Sequence, residues 1–143
     1  MTLYETEDDL KNQRHAMERV ETLLDCSLEE IHRRYTADWL AFRNKKPVAL
    51  LEYKRRKYNH DQFPTIFLEF LKYTLCNFYA RTLDVPFIYV NEFDDLIGMV
   101  TPTPRDILES KIGVEASMYR NNSDDSYIMI HLPVDRFTFY PKK

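Results

Sequence analysis

The chain has 143 residues, of which 44% are hydrophobic and 14% aromatic, and it contains two glycines, so its composition is that of one ordered globular domain. Residues 1–9 are acidic without an apolar core, and the longest apolar run, residues 63–80, is interrupted by charged and polar side chains. We therefore expect neither a secretory signal nor a membrane span. Cys26 and Cys76 are too few for a disulfide framework, which indicates a reducing compartment and a cytoplasmic (or nucleoplasmic) protein that is not secreted.

The first predicted element is a helix over residues 6–24. Its apolar residues recur on one side at helical spacing: Leu10, Ala16, Met17, Val20, Leu23 and Leu24. At about 100° per residue, Glu21 lies at the edge of this apolar stripe, whereas Glu18 points nearly opposite. A surface pair between Glu21 and Arg14 explains this placement as well as a role in a site does.

A predicted edge strand over residues 28–35 leads into a predicted hairpin. Asp38 opens the apolar run 39–42, a polar turn follows, and the second apolar run, residues 48–51, leads directly into Glu52. When two such strands pair, the start of the first lies opposite the end of the second, so Asp38 and Glu52 become neighbours. Lys54 follows Glu52 by two residues and faces the same side of the strand.

A second helix is predicted from near Pro64 to about Leu83, with Asn59 or Asp61 as its cap. Its apolar residues cover so much of its circumference that we expect burial against the sheet and a surface left for a partner. Residues 85–90 are apolar on both faces, which predicts a central strand.

The C-terminal third is predicted to hold a short helix and further strands. Thr103 and Asp106 have the spacing of a capping box, and Gly113 would end the helix that they begin. The predicted strands cover residues 115–120, 126–132 and 136–140, with a polar turn at residues 121–125.

The motif formed by Asp38, thirteen intervening residues and Glu52-Tyr53-Lys54 resembles the PD-(D/E)XK nuclease superfamily. The resemblance covers about residues 15–90 and implies an α/β fold, the three-layer α-β-α restriction-endonuclease-like architecture with a mixed central sheet. Residues 91–143 would then elaborate this core within a single domain, residues 1–143. The predicted order of a helix, two strands, a helix and a strand matches the core of the superfamily, although Ala37 stands where the family has proline.

The resemblance also implies roles for individual residues. Asp38 and Glu52 would hold Mg²⁺ or Mn²⁺, the backbone carbonyl of Tyr53 would be a further ligand, and Lys54 would position the attacking water. Hard carboxylate oxygens suit these cations. Members of the superfamily often add a glutamate from the first helix, and helical geometry favours Glu21 for that role.

The motif alone is weak evidence because the acid-x-Lys pattern also occurs at Asp9-Leu10-Lys11 and at Glu109-Ser110-Lys111. Those two copies lie in helix-like segments, whereas Glu52 ends a strand-like run. The alternative interpretation is that Asp38 and Glu52 are ordinary charges at a hairpin end, paired with nearby lysine and arginine.

Charge is distributed unevenly. Residues 33–57 carry +7, against −10 for the rest of the chain, and the acids within this segment are Asp38 and Glu52. We call its basic residues the basic stretch and predict that they bind DNA: Arg33, Arg34, Arg43, Lys45, Lys46, Arg55, Arg56 and Lys57, beside Lys54. A solvated surface is the alternative explanation of such a run.

The sequence therefore predicts a Mg²⁺-dependent deoxyribonuclease that hydrolyses phosphodiester bonds. With no room for a recognition domain, we expect structure-specific or sequence-tolerant cleavage. Small resolvases of branched DNA in the superfamily are similar in size and act as dimers, so the resemblance implies a homodimer on DNA and no membrane. The alternative is a non-catalytic nucleic-acid-binding or assembly protein that retains the fold.

Overall fold

The computed structural model of this chain describes residues 6–31, 37–116 and 126–143. Within these ranges the helices are α1 (Glu7–Leu24), α2 (Phe70–Thr82) and α3 (Pro104–Glu109). The strands are β1 (Ser27–Glu30), β2 (Trp39–Arg43), β3 (Lys46–Arg55), β4 (Thr65–Glu69), β5 (Phe87–Glu92), β6 (Leu96–Val100), β7 (Lys111–Ala116), β8 (Ser126–Pro133) and β9 (Thr138–Pro141).

The main sheet has six strands in the order β1-β2-β3-β5-β6-β9. Its β3 and β5 strands are parallel and the other neighbours are antiparallel, so the sheet is mixed. The remaining strands form a smaller antiparallel sheet in the order β4-β8-β7. The C-terminal third thus contributes to both sheets.

Successive side chains of the central strands point to opposite faces of the main sheet, and they are apolar on both faces. Helices therefore cover both faces. On one face, Val20 of α1 packs in a core with Leu51 and Val90. On the other face, Cys76 of α2 packs in a core with Leu50, and the smaller sheet joins this layer. The predicted three-layer α/β fold with a mixed central sheet is confirmed.

The predicted hairpin is formed by β2 and β3. Its turn residues, Asn44 (φ 52°) and Lys45 (φ 64°), are both left-handed, as two-residue hairpin turns require. The pairing has one irregularity: Phe42 lies opposite Pro47 and Ala41 opposite Ala49, so Val48 is an extra residue in β3. Beyond this bulge, Trp39 lies opposite Leu51, and the next positions are Asp38 and Glu52.

Helix α1 agrees with the prediction for residues 6–24. Thr6 caps it, since its hydroxyl accepts from the Asp9 N–H at 3.1 Å and the Asp9 carboxylate accepts from the Thr6 N–H at 3.1 Å. The predicted edge strand is shorter than expected, because β1 ends at Glu30, and residues 32–36 of the prediction lie outside the described residues.

The prediction of one helix from Pro64 to Leu83 is wrong in its first part. Residues Thr65–Glu69 form β4, which pairs with β8, and α2 begins at Phe70. This segment alternates buried and half-buried side chains, and Ile66 and Leu68 face the core. The apolar run was too continuous to separate a strand from a helix by periodicity.

The C-terminal third also differs in part from the prediction. Strand β6 was not predicted, and Gly113 lies within β7 instead of ending α3, which ends at Glu109. The capping box of Thr103 and Asp106 is present. The predicted turn at residues 121–125 lies outside the described residues.

Within the described ranges, no helix is long and apolar enough to cross a membrane. Cys26 and Cys76 are free thiols, and Cys76 is fully buried in the α2 layer.

Candidate active site

Asp38 and Glu52 meet at the end of the β2–β3 hairpin, as predicted. The Asp38 N–H donates to the Leu51 carbonyl at 3.1 Å, and the Asp38 carboxylate accepts from the Tyr53 N–H at 2.9 Å. Because β2 begins at Trp39, β3 has no strand partner on this side beyond Leu51 among the described residues, and the Asp38 side chain continues the pairing. This contact fixes Asp38 beside Glu52.

Glu52 is a buried carboxylate, with 7% of the residue exposed. Burial, followed by the charge of Asp38, raises the pKa of Glu52 to about 8, and nearby Lys72 offsets this only in part. Oε1 of Glu52 accepts from Lys72, but Oε2 has no hydrogen-bond donor among the described residues. A buried oxygen beside a second carboxylate is stabilised by a proton or a cation.

Tyr53 has the backbone geometry that its predicted role needs. Its N–H points to Asp38, and a strand residue presents its N–H and C=O on the same side, so its carbonyl also faces the Asp38 side of β3. The side chain faces the opposite, α1 side, where its hydroxyl donates to Glu92 at 2.6 Å. That bond holds the Tyr53 side chain on the α1 side, away from the carboxylate pair.

Lys54 lies on the same face of β3 as Glu52, beside Asn91 of β5. Partial desolvation of its ammonium group, followed by the charge of Arg56, lowers the pKa of Lys54, although the residue remains exposed. No carboxylate of the described residues lies within ion-pair distance of Lys54. Its donors are therefore not committed to a protein carboxylate.

Lys72 belongs to this cluster and was not predicted from sequence. It lies in the first turn of α2, and its Nζ is 3.0 Å from Oε1 of Glu52. The charge of Glu52 raises the pKa of Lys72 in spite of desolvation. The available signal was that Lys72 is the charged residue in an otherwise uncharged run, residues 70–80, which is unusual unless the charge has a partner.

The structure does not bring Glu21 to the carboxylate pair. Its carboxylate accepts from the Leu28 N–H at 2.9 Å, at the edge strand β1. Helix α1 packs on the face of the sheet opposite to the Glu52 side chain, and β2 separates β1 from β3. The helical wheel placed Glu21 correctly at the border of the apolar stripe but could not show which face of the sheet α1 would cover.

The basic stretch is not one surface. Lys45 and Lys46 are exposed at the turn end of the hairpin, and seven residues of strand place Lys45 about 23 Å from Glu52. Arg43 donates to the carbonyls of Leu24 and Asp25 at 2.5 and 2.8 Å, which stabilises the C-terminal end of α1. Arg33 and Arg34 lie outside the described residues.

Arg55 and Arg56 are also engaged with the protein. Arg55 donates to the Arg56 and Glu92 carbonyls and pairs with Asp94 at 2.6 Å. Arg56, which directly follows β3, donates to two strands: to the Asn91 side chain at 2.8 Å and the Tyr89 hydroxyl at 2.8 Å in β5, and to the Phe67 carbonyl at 2.6 Å in β4. Both guanidinium groups thus have structural contacts, and DNA binding by these arginines stays a prediction. Lys57 is exposed.

Variants of Arg56 and Lys57 should separate the two roles. Arg56→Met removes three hydrogen bonds from a charged donor, so we expect a loss of about 3 kcal/mol or more and a melting temperature lower by about 10 °C. Lys57→Met should leave stability unchanged and reduce the slope of log affinity for DNA against log salt by about 0.9. Calorimetry and binding titrations at several salt concentrations measure both; a stable Arg56→Met with a changed salt slope would contradict the structural assignment.

A second group of metal-ligand residue types lies in the loops beyond β3 and β5. Potential ligand atoms of His60, Asp61 and Asp95 lie within 4.8 Å of one another. Nδ1 of His60 is already 2.6 Å from the Asp95 carboxylate, and both aspartates are exposed. This group lacks the buried unpaired oxygen that distinguishes Glu52.

The mixed sheet between helices and the Asp38, Glu52 and Lys54 hairpin define a PD-(D/E)XK domain of the nuclease superfamily. The chain belongs to the family described as "Phage putative PDDEXK endonuclease", which matches residues 2–140, well beyond the predicted extent of 15–90. A search of the curated proteins gives no match. Among solved structures, Hjc, a Holliday junction resolvase from the archaeal hyperthermophile Archaeoglobus fulgidus, is similar with a TM-score of 0.45 and 11% identity, over 90% of this chain and 96% of that chain.

Proposed function

We propose that this chain is a Mg²⁺- or Mn²⁺-dependent nuclease that hydrolyses phosphodiester bonds of DNA, with structure-specific or sequence-tolerant cleavage. The observation that carries the proposal is the unpaired, buried Oε2 of Glu52 beside the carboxylate of Asp38. Membership of the endonuclease family supports the same chemistry.

The residues fit a hard divalent cation. Asp38, Glu52 and the Tyr53 carbonyl offer oxygen ligands at the end of the β2–β3 hairpin, and oxygen is the donor that Mg²⁺ and Mn²⁺ prefer. When bound, such a cation supplies Lewis-acid polarisation of a phosphate oxygen and a lowered pKa of water. Lys72 donates to only one of the two carboxylate oxygens of Glu52. An ordinary ion pair at a hairpin end therefore does not explain why the second oxygen is buried without a donor in the described part of the chain.

Lys54 supplies the remaining chemistry. Its ammonium has three donors and no acceptor, so it can hold the attacking water and a non-bridging phosphate oxygen at once. Lys54 lies on the same face of β3 as Glu52, and Lys72 is nearby. The positive charge of Lys54 there would stabilise the negative charge that develops on the phosphate. Lys57 lies a few residues beyond and offers a further contact to the DNA backbone.

A cleavage assay tests this function. The protein is incubated separately with linear duplex DNA, branched DNA and single-stranded DNA, each in the presence of Mg²⁺, of Mn²⁺ or of a chelator. We expect cleavage in the presence of either cation, none with the chelator, and products from sites of different sequence. Metal-independent binding without cleavage would favour the non-catalytic alternative.

We also propose that the active form is a homodimer that associates through α2. Leu71 and Phe78 are 59% and 64% exposed, lie two helical turns apart, and occupy the side of α2 opposite the buried Tyr73 and Cys76. An antiparallel pair of α2 helices would bury Leu71 of one copy against Phe78 of the other, a self-complementary arrangement typical of two-fold interfaces.

Light scattering on the purified chain tests the dimer. We expect a dimer for the wild type and a monomer for Phe78→Glu, because a charge at the centre of an apolar interface opposes association. Leu108→Glu is the matched control, since Leu108 is exposed on α3, and it should remain dimeric. A monomeric wild type would overturn this part of the proposal.

A further inference from the structure

We propose that Lys72 is a positioning residue of the metal site: it holds Oε1 of Glu52 and thereby aims Oε2 at the position between Glu52 and Asp38. The inference rests on the proposed function, because it assigns a role within the same site. It concerns a residue outside the motif of β2 and β3.

The contact between Lys72 and Glu52 is direct and sheltered. Nζ of Lys72 is 3.0 Å from Oε1 of Glu52, and the two side chains are 31% and 10% exposed. The second oxygen of the same carboxylate has no donor among the described residues. One oxygen is therefore restrained by a charged hydrogen bond, and the restraint fixes the plane of the carboxylate for the other oxygen.

Lys72 is itself held in place by the helix. The neighbouring Tyr73 and the more distant Cys76 of α2 are 7% and 0% exposed in the core, so the backbone of Lys72 is anchored on the sheet. Lys54, in contrast, lies near the end of β3 with no ion-pair partner among the described side chains. The two lysines thus differ in what they can do: Lys54 is available to water or phosphate, and Lys72 is committed to Glu52.

Two effects of Lys72 on a divalent cation oppose each other. Its positive charge repels the cation, so a lysine that only balanced charge would weaken binding, and its removal would tighten it. A lysine that orients a ligand strengthens binding, and loss of such a supporting contact commonly costs ten- to a hundredfold in affinity. Lys72 also lowers the pKa of Glu52, so its removal weakens binding through competition with a proton as well. The Mn²⁺ affinity is therefore compared at several pH values, and a weakening that does not shrink as the pH rises identifies positioning.

The test is a calorimetric titration of the full chain with Mn²⁺, without DNA. We expect Lys72→Met to bind Mn²⁺ about tenfold more weakly than the wild type, and Lys72→Arg, which keeps the donor, to recover most of the affinity. Lys11→Met, at an exposed lysine of α1 on the other face of the sheet, is the matched control and should bind as the wild type does. Circular dichroism verifies folding, and Lys72→Leu, which also lacks a donor, replaces Lys72→Met with the same expected weakening if that variant does not fold.

The outcomes are distinct. Unchanged or tighter Mn²⁺ binding by Lys72→Met, or no recovery in Lys72→Arg, overturns the positioning role and leaves the proposed nuclease function standing. Absence of Mn²⁺ binding by the wild type overturns the proposed function, and the role of Lys72 falls with it.

Discussion

Replacing Glu52 by Gln is expected to abolish metal-dependent DNA cleavage, with a loss of at least about 10³-fold in rate. Metal polarisation of a phosphate is worth several kcal/mol, and each 1.4 kcal/mol or so is a factor of ten. The amide has nearly the shape of the carboxylate but lacks its charge, so the fold should be retained. Single-turnover cleavage and Mn²⁺ titration measure the effect, and Asp38→Asn, which can still accept from the Tyr53 N–H, should behave alike.

Glu92 provides the matched control for this experiment. Like Glu52 it is 7% exposed and pairs with a lysine, at 2.9 Å from Lys142, but it lies on the α1 face of the sheet with the Tyr53 hydroxyl. Glu92→Gln therefore tests loss of a comparably buried charge away from the cluster, and we expect cleavage within about threefold of the wild type. Equal loss of cleavage in Glu92→Gln and Glu52→Gln would show that buried charge, rather than the site, accounts for the result.

Replacing Lys54 by Met should lower the cleavage rate by about 10²-fold or more while DNA affinity and stability change little. A group that places or polarises the attacking water contributes on this scale. One exposed lysine contributes within about 0.5 kcal/mol to stability, and one phosphate contact among several contributes little to affinity. Rate under single turnover, melting temperature and equilibrium binding are measured on the same protein.

Lys46→Met is the corresponding control on the same strand. Lys46 is exposed at the start of β3, eight residues from Lys54, or about 26 Å along the strand. We expect normal cleavage for this variant. If Lys54→Met cleaves at the wild-type rate, or if it unfolds, the assignment of Lys54 to the chemistry is wrong.

The hairpin could be predicted from sequence because every signal it needs is local. Asp38, the two apolar runs and Glu52 lie within fifteen residues, and antiparallel pairing across a short turn brings the two strand ends close together. The bulge at Val48, which sets the exact register, was not predicted. The same-face placement of Lys54 follows from strand alternation alone. The nuclease family follows from the same residues, while their roles as metal ligands remain predictions.

Lys72 could not be predicted because its placement depends on contacts distant in sequence. Phe63 to Ala80 was one apolar run, and only the pairing of Thr65–Glu69 with β8 shows that α2 begins at Phe70. The position of the first turn of α2 on the sheet decides which of its side chains lie near the end of β3. An error of one and a half turns in the start of the helix removes Lys72 from any predicted site.

The structural contacts within the basic stretch could not be predicted for a different reason. A net charge counts side chains without regard to what they bind, and three of its arginines, Arg43, Arg55 and Arg56, donate to backbone carbonyls and buried polar groups. An arginine has five donors, which suits it to join several chain segments as well as to bind phosphate. Sequence alone does not distinguish these uses.

The extra residue at Val48 decides whether Asp38 and Glu52 can lie opposite each other in this hairpin. Around a two-residue turn at Asn44 and Lys45, the residue numbers of two facing residues add to an odd total, as those of Arg43 and Lys46 do. Asp38 would then face Leu51, and Glu52 would have no acidic neighbour. The bulge shifts the register by one residue, so that the residue numbers of facing pairs then add to an even total, as for Trp39 and Leu51. A two-residue turn can therefore bring Asp38 opposite Glu52 only because β3 contains this one extra residue.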